Sequence, residues 1–394
     1  MAFRLRARSG TPAPGIHGVI TGLDLGSTGI RAAVLEGARR SPAGAPSPVR
    51  LLAAVLPPGA VVEGVVHDPT AVTAALRHLA AENGLRGHRV VLGVGTPHLV
   101  VRPLTLPAMP ADQLRRALPF QARDVLPIPV SDAVLDFSPL PRSGPESAPV
   151  AGSAGPGPSA GPVPGLLTAA PRAAVLAAVQ AVQAAGLTVA RVDLSPFGLL
   201  RSIGSAGPVV EALVDIGSDL TTIVIHRHGV PHLVRVIAFG GRRLTDRVAD
   251  ALGVPAAGAE AAKRAVGVLG DSMPALQLRD ELRPLLAELR TSLHYFVGTV
   301  GSTVDRALLT GGTSRLPGLL DLLAAELGIG VQIGMPLRHL AVGAVVRADA
   351  RPWGAGGAGT SRSGDEVGGG PASAVSVGLA LGIPPGAARS GVAA

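Results

Sequence analysis

The stretch VITGLDLGSTG, residues 19–29, is an apolar run that ends in an aspartate, a glycine and two hydroxyl residues before the apolar run IRAAVLEG begins. This pattern predicts a buried strand, a tight turn and a second strand. Two interpretations of the turn are open. Its polar residues can hydrogen-bond their own backbone, as in an ordinary hairpin. They can also form a phosphate cradle, in which N–H groups and hydroxyls face an anion while Asp24 orders a hydrated Mg²⁺.

The same pattern occurs again in the second half of the chain. The apolar run VVEALVD, residues 209–215, continues as IGSDLTTIVIHRHG, so that the Asp-x-Gly-Ser of residues 24–27 recurs at 215–218. A repeated strand-turn-strand unit predicts two lobes of similar construction. Two hairpins of the same unusual kind favour the phosphate cradle over an ordinary turn.

A third segment, VDRALLTGGTSRLPG at 304–318, predicts a strand, a Gly-Gly turn and then a helix over SRLPGLLDLLAAELG, residues 314–328. Paired glycines let a backbone approach a flat ligand closely, and N–H groups at a helix start favour negative charge. Taken alone, the segment is equally consistent with a plain strand-to-helix turn.

Composition excludes several classes of function. The 394-residue chain has no cysteine, which excludes disulfides, thiolate metal sites and a cysteine nucleophile. Its net charge of +8 would normally indicate a polyanionic partner, but one Trp and one Tyr leave almost nothing for base stacking, so nucleic acid is not expected. The chain shows no secretory signal and no apolar run typical of a membrane span, and we expect a soluble cytoplasmic protein.

Outside two low-complexity segments, the predicted strands and helices alternate, which favours an α/β architecture. Asp68 and Pro69 are typical of a helix start, and Asn83-Gly84 is typical of its end. Residues 141–165 and 351–371 are rich in Gly, Pro, Ser and Ala and are expected to be flexible surface insertions.

Together the three segments resemble the actin-like ATPase superfamily. The resemblance implies two duplicated α/β domains around a nucleotide cleft, with a small inserted α/β subdomain in the first. It implies Mg²⁺ held through water by Asp24 and Asp215, and Arg31 stands where the superfamily often has a lysine that reaches the phosphates. The remaining positions that the resemblance assigns to ATP in these segments are Gly26, Ser27, Thr28, Gly217, Ser218, Gly311, Gly312 and Thr313.

Four longer blocks resemble the PilM family of type IV pilus assembly proteins: residues 100–140, 165–203, 256–267 and 373–382. The first block, with an Arg before an LP turn, a PxP and an LDF strand, is the most specific. The implied boundaries are a disordered basic N-terminus at 1–16, the start of the first actin-like domain at 17–88, the inserted subdomain at 89–192 with its loop at 141–165, a return helix at 193–208, the second actin-like domain at 209–334, a partly disordered insert at 335–371, and a closing helix and tail at 372–394.

Lys263 is the only lysine in the chain and lies three residues after Glu260, so both side chains are predicted on one face of a helix. The resemblance places this helix beside the nucleoside, with Glu260 accepting from ribose hydroxyls and Lys263 packing beside the base. The alternative is an exposed helical ion pair.

The resemblance implies an ATP-binding scaffold with at most slow hydrolysis, bound at the inner face of the cytoplasmic membrane through its partners. Those partners would be the cytoplasmic tail of a bitopic PilN-like membrane protein and other platform and motor proteins of the pilus. No residue is identified that would orient an attacking water; His226 is one candidate, and a structural role for it is the alternative.

Two other functions stay open. An FtsA-like division protein would share the fold, but the tail IPPGAARSGVAA lacks the apolar face of a membrane-binding helix. A sugar or metabolite kinase would need a catalytic aspartate, and Asp136 and Asp193 form no recognisable set.

Overall fold

The computed structural model describes residues 20–35, 49–140, 161–336, 345–347 and 370–382. The predicted N-terminal tail at 1–16 and most of the two low-complexity segments lie outside these ranges. The described strands are β1 (Ile20–Gly26), β2 (Gly29–Leu35), β3 (Val49–Val55), β4 (Val61–Val62), β5 (Val65–Val66), β6 (Arg89–Val94), β7 (Val100–Leu106), β8 (Ala133–Pro139), β9 (Val163–Pro171), β10 (Thr188–Leu194), β11 (Val210–Ile216), β12 (Thr221–Arg227), β13 (Val230–Ile237), β14 (Arg306–Thr310), β15 (Gly330–Ile333) and β16 (Val345–Arg347).

The helices connect these strands, as the alternating pattern predicts. They are α1 (Pro69–Glu82), α2 (Ala111–Ala122), α3 (Arg172–Ala184), α4 (Ser195–Ile203), α5 (Gly241–Leu252), α6 (Ala256–Val266), α7 (Met273–Val300), α8 (Leu319–Leu327) and α9 (Ala374–Leu381). Within the described ranges, no helix is both long and apolar enough to cross a membrane.

Local sequence signals explain where α1 begins and ends. The Asp68 side chain accepts a hydrogen bond of 2.9 Å from the Ala71 amide, and Pro69 occupies the first helical position. Both features satisfy or remove amide groups that have no partner inside the helix. Asn83 closes the helix and Gly84 follows with a φ of +67°. The predicted start and end signals are therefore the ones the structure uses.

The larger of two compact units contains two sheets of the same plan. The first has the order β10-β6-β1-β2-β3-β16 and the second β13-β12-β11-β14-β15. In each, three sequential antiparallel strands are followed by two strands that run parallel to the first of the three. The predicted duplication of a mixed α/β domain is confirmed.

Each sheet has its own apolar core, and a third core joins the two. Helices α1 and α3 pack on the first sheet, and α5 to α8 pack on the second. Between the sheets lie α4 and α9, which cross so closely that a Cβ at Gly378 would overlap the carbonyl oxygen of Gly198. The Arg201 guanidinium adds a hydrogen bond of 2.9 Å to the Gly378 carbonyl. Backbone-to-backbone contact of this kind requires glycine at residue 378.

The smaller compact unit runs from His98 to Ala173 and contains a sheet of order β7-β9-β8 covered by α2. Leu114, Leu118 and Ala122 recur on one helical face and pack near Phe137 and Leu167. This apolar face gives the unit a core of its own.

The limits of this smaller unit differ from the predicted range 89–192. Strands β6 and β10 fall in the predicted range, but they pair in parallel with each other, and β6 pairs with β1, within the larger unit. A second difference concerns the predicted flexible loop at 141–165. Its last residues, 163–165, belong to β9, where Gly165 leaves room for the Phe137 ring.

The helix predicted over residues 314–328 begins later. Residues Gly312–Arg315 form a single 3-10 turn, and α8 starts only at Leu319. Gly318 has a φ of +77°, and the preceding proline disfavours helical geometry at Leu316. The Leu-Pro-Gly sequence therefore separates the turn from the helix.

Candidate functional site

The first Asp-Gly hairpin joins β1 to β2. Asp24 pairs across the hairpin with Arg31, and the turn at Ser27 and Thr28 is closed by the pair Gly26 and Gly29. Burial raises the pKa of Asp24, and the Arg31 charge opposes that rise. A Cβ at Gly26 would lie 3.0 Å from the Arg31 guanidinium, so this side chain reaches back along the hairpin to the turn.

The second hairpin joins β11 to β12 and places Asp215 opposite Thr222. Burial raises the pKa of Asp215 to about 6; a hydrogen bond of 2.8 Å from the Thr310 hydroxyl lowers it, the Asp24 charge raises it, and Arg31 lowers it. Because the Asp24 charge is among the causes that raise the pKa of Asp215, the two hairpins bring their aspartates near each other within the larger unit.

The two carboxylates suit a hydrated divalent cation. They sit at the ends of two central strands, each is held in a setting that disfavours its charged form, and Arg31 is the cation acting on both. A divalent cation would stabilise the charged form of both carboxylates. Within the described residues, no three His, Cys, Asp or Glu side chains converge as a metal-binding group. Two carboxylates suit Mg²⁺, which keeps several of its water ligands.

The start of α5 lies against the second hairpin. The Gly241 amide donates to the Gly217 carbonyl and the Arg242 amide donates to the Ser218 carbonyl, both at 2.9 Å. A Cβ at Gly240 would overlap the Ser218 carbonyl, and the Arg242 guanidinium lies 3.0 Å from the Asp219 carboxylate. These residues were not predicted from the sequence, although the Gly240-Gly241 pair shortly after a predicted strand was an available signal.

The Gly-Gly turn after β14 approaches the same hairpin. Gly311 has a φ of +87°, and a Cβ there would overlap the Ile216 carbonyl, whereas Gly312 has open space around it. The Thr313 hydroxyl donates to the Gly217 carbonyl at 3.0 Å. Gly311 is therefore required by the backbone, and Gly312 leaves a surface that a ligand could approach.

Glu260 and Lys263 lie on one face of α6, with Nζ 2.6 Å from a carboxylate oxygen. Burial alone would raise the pKa of Glu260, but hydrogen bonds from Lys263, Thr245 and Arg264 hold it at about 2. Lys263 itself is only 6% exposed. The alternative of an exposed helical ion pair is thus wrong for the lysine.

The remaining candidates have side-chain or backbone partners of their own. His226 is fully buried near the end of β12, with Nε2 3.1 Å from the carboxylate of Glu211 at the start of β11. Asp215 is at the other end of β11. Asp193 pairs with Arg201 at 2.6 Å, and Asp136 belongs to the smaller unit, where it accepts from the Phe137 amide.

Two sheets of one plan, each with an Asp-Gly hairpin between its central strands, and a Gly-Gly turn beside the second hairpin define the actin-like ATPase fold. Comparison with known proteins sharpens this class. The profile of the family described as type IV pilus assembly protein PilM matches residues 22–351. The chain belongs to that family.

Solved structures agree with this assignment. The chain is similar to a structure described as the PilM-PilN type IV pilus biogenesis complex, with 27% identity, a TM-score of 0.71, and coverage of 92% of this chain and 97% of that one. It is also similar to the ethanolamine utilization protein EutJ from Carboxydothermus hydrogenoformans, with 16% identity, a TM-score of 0.50 and coverage of 93% and 91%. The second likeness shows the fold alone.

Proposed function

We propose that this chain is an ATP-binding scaffold of type IV pilus assembly. It binds the cytoplasmic N-terminal tail of a bitopic PilN-like membrane protein and links the inner-membrane platform to the motors. The observation that carries this proposal is the likeness to the PilM-PilN complex over nearly the whole of both chains. Association with the cytoplasmic face of the membrane would come through the partner.

Nucleotide binding rests on the facing hairpins. Asp24 and Asp215 would hold Mg²⁺ through its water ligands, and the bound cation would neutralise part of the phosphate charge. Arg31 would add a fixed positive charge from the first hairpin. Backbone amides and hydroxyls of the two turns would donate to phosphate oxygens: Gly26, Ser27, Thr28, Gly217 and Ser218.

The nucleoside would lie beside the Gly-Gly turn and α6. The open side of Gly312 admits a flat ring, Gly311 and Thr313 fix the turn on the second hairpin, and Glu260 is placed to accept from ribose hydroxyls. Because phosphoryl transfer also needs a group that orients the attacking water, and His226 is buried elsewhere, we expect hydrolysis to be slow or absent.

ATP can regulate the scaffold only if the protein binds its partner with different affinity in the two nucleotide states. We place the partner site in association with the smaller unit, His98–Ala173, and the nucleotide in the larger unit. Reciprocity then requires the tail peptide to change ATP affinity by the same factor by which ATP changes tail affinity.

The test is affinity purification from native cells in the presence of Mg·ATP, followed by titration of a synthetic tail peptide from the membrane protein recovered. Recovery of a bitopic protein with a short cytoplasmic tail, together with platform components, is the expected result. Recovery of a tubulin-like division polymer, with no pilus component, would contradict the proposal.

A further inference from the structure

Lys263 occupies a chemical environment that only an ammonium group fits. It is the single lysine among 35 basic Lys and Arg residues, so the chain uses arginine at the other 34 positions. Its Nζ lies 2.6 Å from Glu260 Oε2, 2.8 Å from Thr245 Oγ1 and 3.1 Å from the Gly241 carbonyl. The three acceptors come from two helices and converge on one buried atom.

An ammonium group has three N–H donors, and these three contacts use all of them. No donor is left for a nucleotide. A guanidinium is larger and planar and directs its donors in a fork, so it cannot satisfy three acceptors that converge on a single point. This geometry explains why lysine is kept here in a chain that otherwise uses arginine.

The contact to Gly241 connects Lys263 to the second hairpin. The Gly241 carbonyl accepts from Lys263, while the Gly241 amide donates to the Gly217 carbonyl at 2.9 Å. The same Gly217 carbonyl accepts from Thr313. The carbonyl that Lys263 holds shares its peptide group with the Arg242 amide, which donates to the Ser218 carbonyl at 2.9 Å. The lysine therefore fixes the residue that joins the start of α5 to the turn of the hairpin.

We propose that Lys263 is a positioning residue, which fixes the second hairpin in the conformation that binds phosphate and does not itself contact the nucleotide. This inference rests on the proposed nucleotide site. It separates the two residues of α6 by role: Glu260 remains the nucleoside contact, and Lys263 acts through Gly241 on the phosphate side.

The first test needs no ligand and uses hydrogen exchange of the full chain. Lys263→Arg and Lys263→Met are expected to speed amide exchange in peptides covering 215–221 and 239–243 by about tenfold, because the Gly241 carbonyl loses the ammonium donor and keeps the Thr245 hydroxyl. Peptides covering the first hairpin, 20–31, should be unchanged and serve as the internal reference. Arg283→Gln is the control, since it removes one positive charge from an exposed ion pair with Asp280 on α7, outside the monitored peptides.

The second test separates phosphate from nucleoside binding. Calorimetric titrations with Mg·ATP and Mg·tripolyphosphate should show Lys263→Arg weakening both by a similar factor, about tenfold or more. Glu260→Gln keeps an oxygen that can accept from Lys263 and should weaken Mg·ATP binding more than Mg·tripolyphosphate binding. A lysine that contacted the base would give the opposite result, with tripolyphosphate binding intact and Mg·ATP binding reduced.

Unchanged exchange in both peptides, or intact tripolyphosphate binding in Lys263→Arg, would overturn the positioning role. If Lys263→Met fails to fold, Lys263→Arg carries the comparison, because it keeps the positive charge and an unbranched aliphatic stem. A wild-type protein that binds neither ligand would remove the proposed nucleotide site, an outcome distinct from a variant that binds both as tightly as the wild type.

Discussion

The two Asp-Gly hairpins share a sequence pattern but differ in what surrounds them. In the first, Asp24 faces Arg31 across the hairpin; in the second, the equivalent position opposite Asp215 is Thr222. The first hairpin thus carries its own cation. The second carries none at this position and takes a hydrogen bond from Thr310 instead.

Their mechanical support also differs. The second hairpin is held by the start of α5 and by the Gly-Gly turn, through the Gly217 and Ser218 carbonyls. Among the described residues, the first turn has one such bond, from the Leu56 amide to the Thr28 carbonyl at 3.2 Å. Under the proposed function, the first hairpin would supply charge and the second would supply the more firmly fixed geometry. Electrostatic stabilisation of a phosphate depends on both, since donors must be preorganised to be effective.

The largest expected effect comes from replacing the aspartate that each hairpin carries. Asp24→Ala and Asp215→Ala should each weaken Mg·ATP binding by roughly 100-fold or more, because each removes one carboxylate of the magnesium site. Isothermal titration in excess Mg²⁺ measures this, with Asp246→Ala on the exposed face of α5 as the control. Wild-type affinity in both variants would mean that the cation is not held by these aspartates.

The next effect tests the support of the second hairpin. Gly311→Ala forces a side chain into a φ of +87° and onto the Ile216 carbonyl, which should cost about 2 kcal/mol of unfolding free energy. Gly312→Ala has open space and should change stability by less than about 0.5 kcal/mol. Urea unfolding of both variants makes the comparison. Equal losses would show that the turn does not depend on its close approach to β11.

A smaller effect tests the cation of the first hairpin. Arg31→Gln should weaken Mg·ATP binding by about tenfold and reduce the salt dependence of binding, because it removes one charge-assisted phosphate contact. Arg31→Lys keeps the charge and should recover part of the loss. Titrations at two salt concentrations give both quantities; a glutamine variant with unchanged affinity and salt dependence would place Arg31 outside the phosphate site.

The smallest expected effect on binding is the pH dependence of Mg·ATP affinity, which comes from Asp215 in the second hairpin. The pKa of Asp215 is about 6, so lowering the pH from 7.5 to 5.5 should weaken Mg·ATP binding by about fourfold as this carboxylate takes up a proton. A titration series in buffers of matched ionic strength measures it. Affinity that does not change over this range would contradict the assignment of Asp215 to the cation.

The same pKa gives a stability prediction with a defined sign. The folded-state value of about 6 exceeds the ordinary value of 3.8, so the folded state binds more protons between these limits and loses stability as pH rises through them. Asp215→Asn cannot ionise and should melt at a higher temperature than the wild type at pH 7.5 without nucleotide. The difference should vanish near pH 4, and a difference that persists there would have another cause.

The hairpins and the Gly-Gly turn could be predicted because each is encoded in consecutive residues. An apolar run followed by Asp-x-Gly-Ser fixes a local backbone path, and its recurrence at Asp215 showed the duplication. The start of α1 at Asp68 was predictable for the same reason. The family resemblance extended this reading to the inserted unit, which has no repeat within the chain.

The support of the second hairpin could not be predicted, since it comes from residues distant in sequence. Thr310 reaches Asp215 only because β14 pairs in parallel with β11. The order of strands in a sheet cannot be predicted from local sequence patterns. The saturated environment of Lys263 depends in the same way on how α5 meets α6. The late start of α8 is encoded in Leu316-Pro317-Gly318, whereas the apolar pattern of the following helix predicted a start at Ser314.

The crossing of α4 and α9 at Gly198 and Gly378 has a consequence for the order of folding. Helix α9 also packs on β1 and β2, so these two strands receive their cover from residues 374–381, which are synthesised much later. Until the ribosome has released that segment, the apolar side chains of the first sheet that face α9 stay in contact with solvent or a chaperone, and so long-range a contact forms slowly. A chain whose translation stalls before residue 374 would contain the complete first hairpin but lack α9, the helix that covers one face of its strands.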